Sequence, residues 1–130
     1  MNVLLFIEYL IYFGNYNSTL AVLSGVTYHA VTRLRGTLEK LPASYLRLID
    51  ELQAFTNPAR NMQRYRQILN ERASRGLPLI PIVPIIRKDL TSIHLANKTI
   101  ADDGLVNFDK LRLVSREIRK LANYASELYV

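Results

Sequence analysis

The segment from Gly76 to Pro84 carries a proline at every third position, at Pro78, Pro81 and Pro84. Proline fixes φ near −65° and lacks an amide hydrogen, so a regular helix cannot form before Pro84. The residue before each proline is pushed toward extended geometry, and prolines cannot occupy the centre of a sheet. The sequence therefore predicts an extended apolar strap here, which divides the chain into two helical parts.

The chain begins with an apolar run, Val3 to Phe13, which ends at Gly14. A membrane-spanning helix needs about 20 such residues, and a signal peptide would need a basic stretch in place of Met1-Asn2 and no Glu8. The run instead predicts a buried helix that is apolar on nearly every side. Such a helix must have protein around it, so we expect the chain to lack a part that would pack there.

Four more helices are predicted before the strap. The second begins at a cap formed by Asn17 or Ser18, and a short third one carries Val31 and Leu34. The fourth starts at Pro42, with apolar residues at spacings of three and four: Tyr45, Leu48, Ile49, Leu52 and Phe55. The fifth starts at Asn57-Pro58; it turns Met62, Tyr65, Ile68 and Leu69 inward and leaves Arg60, Arg64, Arg66 and Arg72 for solvent or a partner.

Two helices beyond the strap are predicted to form an αα-hairpin, joined by a turn at 97–104. The first, Ile85 to Ala96, has an inward stripe of Ile86, Leu90 and Ile93 and a second stripe of Lys88, Thr91 and Leu95. The last helix starts at about Asn107. Its predicted buried residues are Phe108, Leu111, Val114, Ile118 and Leu121, and its predicted exposed residues are Lys110, Arg112, Arg116, Arg119 and Lys120.

Composition limits the classes of function. The 130 residues allow one domain, and the net charge of +6 favours an acidic partner: a nucleic acid, an anionic membrane or an acidic protein surface. There is no cysteine, which excludes thiolate metal ligands and a cysteine nucleophile and agrees with a reducing compartment. His29 and His94 lack a second ligand at metal spacing, Asp102-Asp103 fits a solvated turn, and no phosphate-binding glycine motif occurs. No catalytic, metal or cofactor residues are predicted, and the chain is not expected to be an enzyme.

Nucleic-acid binding is one alternative, suggested by the basic stretch Arg60 to Arg66. Bases need exposed aromatic rings to stack on, and Tyr65 instead falls on the apolar stripe with Met62 and Ile68. The remaining basic residues are spread over several helices. A solvated helix face explains the stretch better, and no nucleic-acid partner is predicted.

A collinear series of motifs, over nearly the whole chain, resembles the catalytic domain of Ras-family guanine-nucleotide exchange factors (RasGEF). The motifs are Asn15-Tyr16-Asn17-Ser18, Ser24 to Val31 with Arg33-Leu34, Glu39 to Pro42, Asn57 to Asn61, Tyr65-Arg66, Pro78 to Pro81 leading into Lys88-Asp89-Leu90-Thr91, and Asp103 to Arg112. The versions at Thr27 to Val31 and Arg87 to Thr91 look most like the branch that acts on Rap.

The resemblance implies an all-α fold, a multi-helix orthogonal bundle with a protruding αα-hairpin. It implies a Ras- or Rap-type small GTPase as partner, whose first switch segment the hairpin displaces to release GDP without covalent chemistry. Val26 and Thr27 would face the second switch, Arg60 and Asn61 would lie on the rim of that groove, and the working side of the hairpin would carry Ile82, Lys88, Thr91, Leu95 and Asn97.

Three features depart from the family pattern. Thr27 stands where many members have asparagine, and Leu95 stands where many have a glutamate directed at the phosphate-binding region of the GTPase. The family domain is also nearly twice as long, so residues 1–130 are expected to be its carboxyl-terminal part, without the first half. Two functions remain open, an exchange factor and a catalytically inactive GTPase-binding module. The expected location is cytoplasmic, with recruitment to a membrane surface through other domains.

Overall fold

The computed structural model describes residues 3–127 and Tyr129; Met1, Asn2, Leu128 and Val130, which the predicted domain includes, lie outside the described residues. Eight helices occur in the described part: α1 (Val3–Tyr12), α2 (Tyr16–Val26), α3 (His29–Thr32), α4 (Arg35–Leu38), α5 (Ala43–Phe55), α6 (Ala59–Ser74), α7 (Val83–Ala96) and α8 (Phe108–Ser126). The only extended pairings there are two isolated bridges. The all-α prediction is confirmed.

The main core forms where α2, α5, α6 and the strap meet. Three aromatic rings lie at its centre, with Tyr16, Phe55 and Tyr65 separated by centroid distances of 5.5 to 6.1 Å. Leu79 and Ile82 of the strap cover these rings, and both are almost completely buried. Each such side chain contributes roughly 1.5–3 kcal/mol by its burial, so the strap is an integral part of the core.

The strap is also paired with the turn after α1. The Ile80 amide donates to the Gly14 carbonyl at 2.9 Å, and the Tyr16 amide donates to the Ile80 carbonyl at 3.0 Å. The predicted strap is therefore correct, although helix α7 already begins at Val83 and accommodates Pro84 in its first turn. A proline is tolerated there because the first helical amides have no intrahelical acceptor.

Helix α1 is buried on one side only, so among the described residues the prediction of a buried helix is wrong for its other side, while the part expected to pack there stays a prediction. Leu4 and Ile7 pack with Leu23 of α2 and Leu52 of α5. The opposite side is open, with six large side chains exposed: Val3, Leu5, Phe6, Tyr9, Tyr12 and Phe13. Among the described residues, α1 packs chiefly against α2, so nothing is available to cover that second side.

The segment between α2 and α5 differs from its prediction in detail. Instead of one short helix carrying Val31 and Leu34, it forms two single turns, α3 and α4, with Leu34 exposed at the junction. Neither turn contributes a buried residue. The weak apolar pattern here reflects a loop with helical turns that lies on the surface of the body, the part of the fold formed by α1 to α6 and the strap.

Helices α7 and α8 pack against each other as the predicted hairpin. The exposures of Arg112, Arg116, Arg119 and Lys120 are as predicted. The burial of the apolar stripe is not: Phe108, Leu111, Ile118 and Leu121 are all exposed, and Val114 is half-buried. Periodicity identifies the apolar face of α8 correctly, but the described part of the chain has no element that packs on it.

Candidate functional site

The outward face of α7 carries three of the predicted contact residues. Lys88, Thr91 and Leu95 are all exposed and follow one another at three- and four-residue spacings, so they lie along one side of the helix. Leu95 is 77% exposed, which is unusual for a leucine. Lys88 and Thr91 line a shallow depression together with Val83, Pro84, Arg87 and Ser92. This side of the hairpin is open to a docking protein.

Ile82 does not belong to that face. It was expected on the working side of the hairpin, but its side chain is completely buried in the main core. Its amide donates a 2.8 Å hydrogen bond to the hydroxyl of Tyr65, which is itself buried. Burial raises the pKa of that hydroxyl to about 12, because the ionised form would lose its hydration. Ile82 therefore anchors the root of the hairpin and is not available to a partner.

A charged pair joins the hairpin to the body about two helical turns beyond Ile82. Arg66 of α6 contacts both carboxylate oxygens of Asp89 on α7. The same guanidinium donates to the backbone carbonyl of Asn61 at 2.8 Å. The prediction that Arg66 faces solvent or a partner is wrong, because it bridges two parts of the fold. The Tyr65-Arg66 and Lys88-Asp89 motifs carry opposite charges, but their spacing does not show that these side chains meet.

Arg60 and Asn61 lie in a turn of unusual backbone conformation at the start of α6. Arg60, Asn61 and Met62 all have φ between 51° and 58°, the left-handed region that side chains other than glycine rarely adopt. Arg60 and Asn61 are exposed, as a rim position requires. The two hydrogen bonds from Arg66 to Asn61 help to hold this turn.

Val26 and Thr27 lie at the carboxyl end of α2, on a different part of the body. Both are half-buried: Val26 packs against the cluster around Ile7 and Leu23, and the Thr27 hydroxyl donates to the Leu23 carbonyl at 2.8 Å. The predicted site thus comprises three exposed or half-exposed patches. Arg66 links the Arg60–Asn61 turn to α7, and Val26–Thr27 forms the third patch at the end of α2.

The far end of the hairpin is held by polar contacts. Asn97, which is half-buried, donates its side-chain amide to the Ile93 carbonyl at 2.9 Å. Lys110 was expected to be exposed, but it is only 5% exposed. Its ammonium group donates to backbone and side-chain oxygens at the end of α7 and in the following turn. The prediction was wrong because a lysine on the inner side of α8 finds three oxygen acceptors there, one for each of its N–H donors.

Two features that the described residues lack bear on the site. Across residues 3–127 and Tyr129, no three His, Cys, Asp or Glu side chains come together as ligands that one metal ion could share. Within the same residues, no helix combines the length and the apolar character needed to cross a lipid bilayer.

Comparison with known proteins gives the family. The RasGEF domain model matches residues 3–112. The chain belongs to the RasGEF domain family. It is 45% identical over 112 residues to Rap guanine nucleotide exchange factor 6 of Homo sapiens, covering 86% of this chain and 7% of that protein. It is 42% identical over 115 residues to a Rap guanine nucleotide exchange factor of Caenorhabditis elegans, covering 88% and 8%.

A third relative is Rap guanine nucleotide exchange factor 5 of Rattus norvegicus, which is 38% identical over 107 residues, or 82% of this chain and 18% of that protein. These names confirm the resemblance to the Rap-directed branch of RasGEF domains. The chain spans less than a fifth of the length of each of these three relatives. Its assignment to the carboxyl-terminal part of a RasGEF domain stays a prediction.

Membership in this family corrects the expectation that the chain is not an enzyme. The RasGEF domain and the exchange factors named among its relatives accelerate a reaction, the release of bound guanine nucleotide. A protein that accelerates release and is itself regenerated is a catalyst. The expectation was wrong because it reserved the term enzyme for covalent chemistry, for which the sequence has no residues, although it already implied a catalyst of nucleotide exchange.

Proposed function

We propose that this chain is a guanine-nucleotide exchange factor for a Ras- or Rap-type small GTPase, and that its α7–α8 hairpin displaces the switch region to release GDP. One structural observation supports this proposal above the others. The outward face of α7, with Lys88 and Thr91, is exposed, while the root of the same helix is fixed in the core through Ile82 and Ile85. To displace the switch region, the hairpin needs one face that is free to contact the GTPase and a base that the core holds rigidly.

The proposed contacts fall on three patches. Lys88, Thr91, Leu95 and Asn97 meet the first switch segment from the hairpin. Val26 and Thr27 contact the second switch from the body, and Arg60 and Asn61 flank that groove. Ile82 is omitted from the contact set, because a completely buried side chain cannot touch a partner in this conformation.

The mechanism is linkage between two ligands of the GTPase. A nucleotide bound at about picomolar affinity, with an on-rate near 10⁶ M⁻¹s⁻¹, leaves at about 10⁻⁶ s⁻¹. A protein that binds the nucleotide-free GTPase more tightly weakens nucleotide binding by the same coupling free energy. Occlusion of the magnesium and phosphate sites by the hairpin provides that coupling, and no general base or metal on this chain is required.

Two finer predictions accompany the function. The first is a cytoplasmic location, which the absence of cysteine supports. The second is recruitment to a membrane surface by other parts of a longer protein. The net charge of +6 on this chain would add to such recruitment, since anionic lipids attract basic proteins.

The test is the release of fluorescent GDP from purified Rap, with excess unlabelled GTP and a stoichiometric amount of the chain. Wild type is expected to accelerate release. Lys88→Ala is expected to reduce the acceleration about tenfold to a hundredfold, the scale of one lost charged hydrogen bond. Lys120→Ala on α8 is the control, since it removes an exposed lysine from the other helix. Equal effects of the two substitutions would contradict the assignment of the α7 face.

A second function, an inactive GTPase-binding module, is favoured by Leu95. This exposed leucine stands where many RasGEF domains are expected to carry a glutamate, so a carboxylate that would repel the bound phosphates is missing. Binding of Rap without faster GDP release would identify this second function. In that case Leu95→Glu is expected to raise the release rate about fivefold, the lower end of typical coupling energies, without loss of stability.

A further inference from the structure

The buried ammonium group of Lys110 is the starting point. Its Nζ donates to the His94 carbonyl at 3.1 Å, to the Asn97 carbonyl at 2.8 Å and to the Thr99 hydroxyl at 2.9 Å. A lysine has three N–H donors, and each has an acceptor here. All three acceptors are neutral oxygens, two of them backbone carbonyls. The group is therefore built into the hairpin and is not part of an ion pair that points to solvent.

The position of these carbonyls explains why a cation is suited to the site. The last carbonyls of a helix have no intrahelical donor, and the helix dipole places partial negative charge at this end. Helix α7 ends at Ala96, and the next residue, Asn97, has an extended backbone, so a glycine cap of the usual left-handed kind is not used. Lys110, reaching across from α8, supplies both the donors and the positive charge that this end requires.

The first turn of α8 is tied to the same region by Asn107. Its amide donates to the Thr99 carbonyl at 2.9 Å, and its side chain donates to the Lys98 carbonyl at 3.0 Å. The Asn107 side-chain oxygen accepts from the Lys110 amide at 3.0 Å and so caps α8. The end of α7, the connecting segment and the start of α8 thus form one hydrogen-bonded unit, with Lys110 at its centre.

We infer that Lys110 is a positioning residue for nucleotide exchange. It fixes the last turn of α7, and with it Leu95 and Asn97, which the proposed function places against the GTPase. The inference rests on that proposed function. A hairpin whose end can fray still allows the body to dock through Val26 and Thr27, but transmits less displacement to the switch region. Loss of Lys110 therefore lowers the maximal exchange rate and leaves docking intact.

The experiment compares Lys110→Met with Lys98→Met in the GDP-release assay, over a range of chain concentrations. Both substitutions remove one positive charge from the same end of the hairpin, but the Lys98 side chain is 73% exposed. Lys110→Met is expected to lower the maximal rate about tenfold and to change the half-saturating concentration less than about twofold. Lys98→Met is expected to change neither by more than about twofold. A raised half-saturating concentration with an unchanged maximal rate would overturn the inference.

Amide hydrogen exchange provides a readout that does not depend on activity. The Ala101, Gly104 and Asn107 amides donate hydrogen bonds inside the connection. In Lys110→Met, these amides are expected to exchange at least about tenfold faster, while amides of α5 keep their protection. Unchanged protection would overturn the inference, whether or not wild type is active. An inactive wild type with the expected loss of protection would instead count against the proposed function.

Thr99→Val serves as the milder variant should Lys110→Met unfold the chain. It removes one of the three acceptors of the ammonium group and keeps the size of the side chain. A smaller change in the same direction, in both the maximal rate and the amide protection, is expected. No change in either quantity would overturn the inference.

Discussion

Arg66 and Asp89 connect the body to the hairpin through a single guanidinium group. Arg66 Nη2 lies 2.8 Å from Oδ1 of Asp89 and 2.7 Å from Oδ2, and both side chains are mostly shielded, at 32% and 21% exposed. Shielding strengthens a charged hydrogen bond relative to one in open solvent. Since Arg66 also holds Asn61, one side chain sets the position of α7 relative to the left-handed turn.

Loss of this pair should destabilise the fold, and loss of Arg66 should cost more than loss of the Asp89 charge. Asp89→Asn is expected to lower the free energy of unfolding by about 1 kcal/mol, and Arg66→Gln by about 2 kcal/mol, because Arg66 also bonds to Asn61. A double-mutant cycle in urea should give a coupling energy of about 1 kcal/mol. The control pair is Arg75–Glu71 on the same helix, 65% and 62% exposed, with an expected coupling below about 0.5 kcal/mol. Equal couplings for the two pairs would contradict this assignment.

The hydroxyl of Tyr65 should control both stability and its dependence on pH. Tyr65→Phe leaves the buried Ile82 amide without its acceptor, which should cost about 1–3 kcal/mol. An unfolded tyrosine ionises near pH 10, whereas the folded one keeps its proton until about pH 12. The unfolded state therefore releases its proton first, and stability is complete below pH 10 and falls as the pH rises above it.

Chemical unfolding from pH 8 to pH 12 checks this prediction. The decline above pH 10 should be shallower in Tyr65→Phe than in wild type. It should not vanish, because burial also raises the pKa of Tyr16 and Tyr124. Tyr12→Phe, at a position that is 73% exposed, should leave the profile unchanged. An equal slope in the Tyr65→Phe and wild-type profiles would rule out this role for the hydroxyl.

Gly14 should tolerate no side chain. Its φ is +74°, and a Cβ there would lie 2.3 Å from Nε of Arg72 and 2.9 Å from the Pro78 carbonyl oxygen. Since the same Nε donates to that carbonyl at 2.8 Å, the clash would also break a hydrogen bond. Gly14→Ala should cost about 3 kcal/mol, the sum of the backbone and contact penalties.

Gly76→Ala is the matched control for this substitution. Gly76 has a similar φ of +62°, but a Cβ there would meet nothing within 4 Å. It should cost only about 1 kcal/mol, the backbone penalty alone. Urea denaturation of both variants measures the difference in the free energy of unfolding. Similar unfolding midpoints for the two variants would show that Arg72 and the Pro78 carbonyl do not pack closely against Gly14.

The exposed side of α1 should make the isolated chain associate. Its six exposed apolar and aromatic side chains form a hydrophobic surface, whose exposure to water is unfavourable. Sedimentation at about 50 μM should show dimers or larger species, since hydrophobic burial drives association. The double variant Leu5→Glu, Tyr9→Glu, with both changes on that side, should shift the chain to monomer. Leu77→Glu, at an exposed site on the strap, should not. A monomeric wild type would contradict this prediction.

The sequence was most informative where local pattern and packing agree. Helix α5, the strap and the hairpin follow from apolar spacing and from proline chemistry, and the structure has each of them. The pattern failed for α8, where Phe108 is exposed and Lys110 is buried. Periodicity tells which residues share a face, but the burial of that face depends on what the rest of the chain brings to it.

The residues of the candidate site show the same contrast between local properties, which the sequence predicts, and contacts between elements, which it does not. Exposure of Lys88 and Thr91 follows from the second stripe on α7, which is a local property. The roles of Arg66 and Asp89 depend on two helices meeting, which residue spacing does not encode. The left-handed turn at Arg60–Met62 was not predicted either: no glycine marks it, and of its three residues only Asn61 is of a type that favours this conformation. Ile82 resembled a contact residue in its motif, but the strap turns it inward.

The contact between Asn17 and Val83 has a consequence for how the chain folds. The Val83 amide donates to the Asn17 side chain at 3.2 Å across 66 residues, beside the pairing of Gly14 with Ile80. Closing a loop of that length costs roughly 4 kcal/mol of chain entropy before any contact compensates for it. Helices α5 and α6 can form early from local contacts, whereas the strap must wait for this closure. We therefore expect the hairpin to acquire its fixed base only after α5 and α6 have formed.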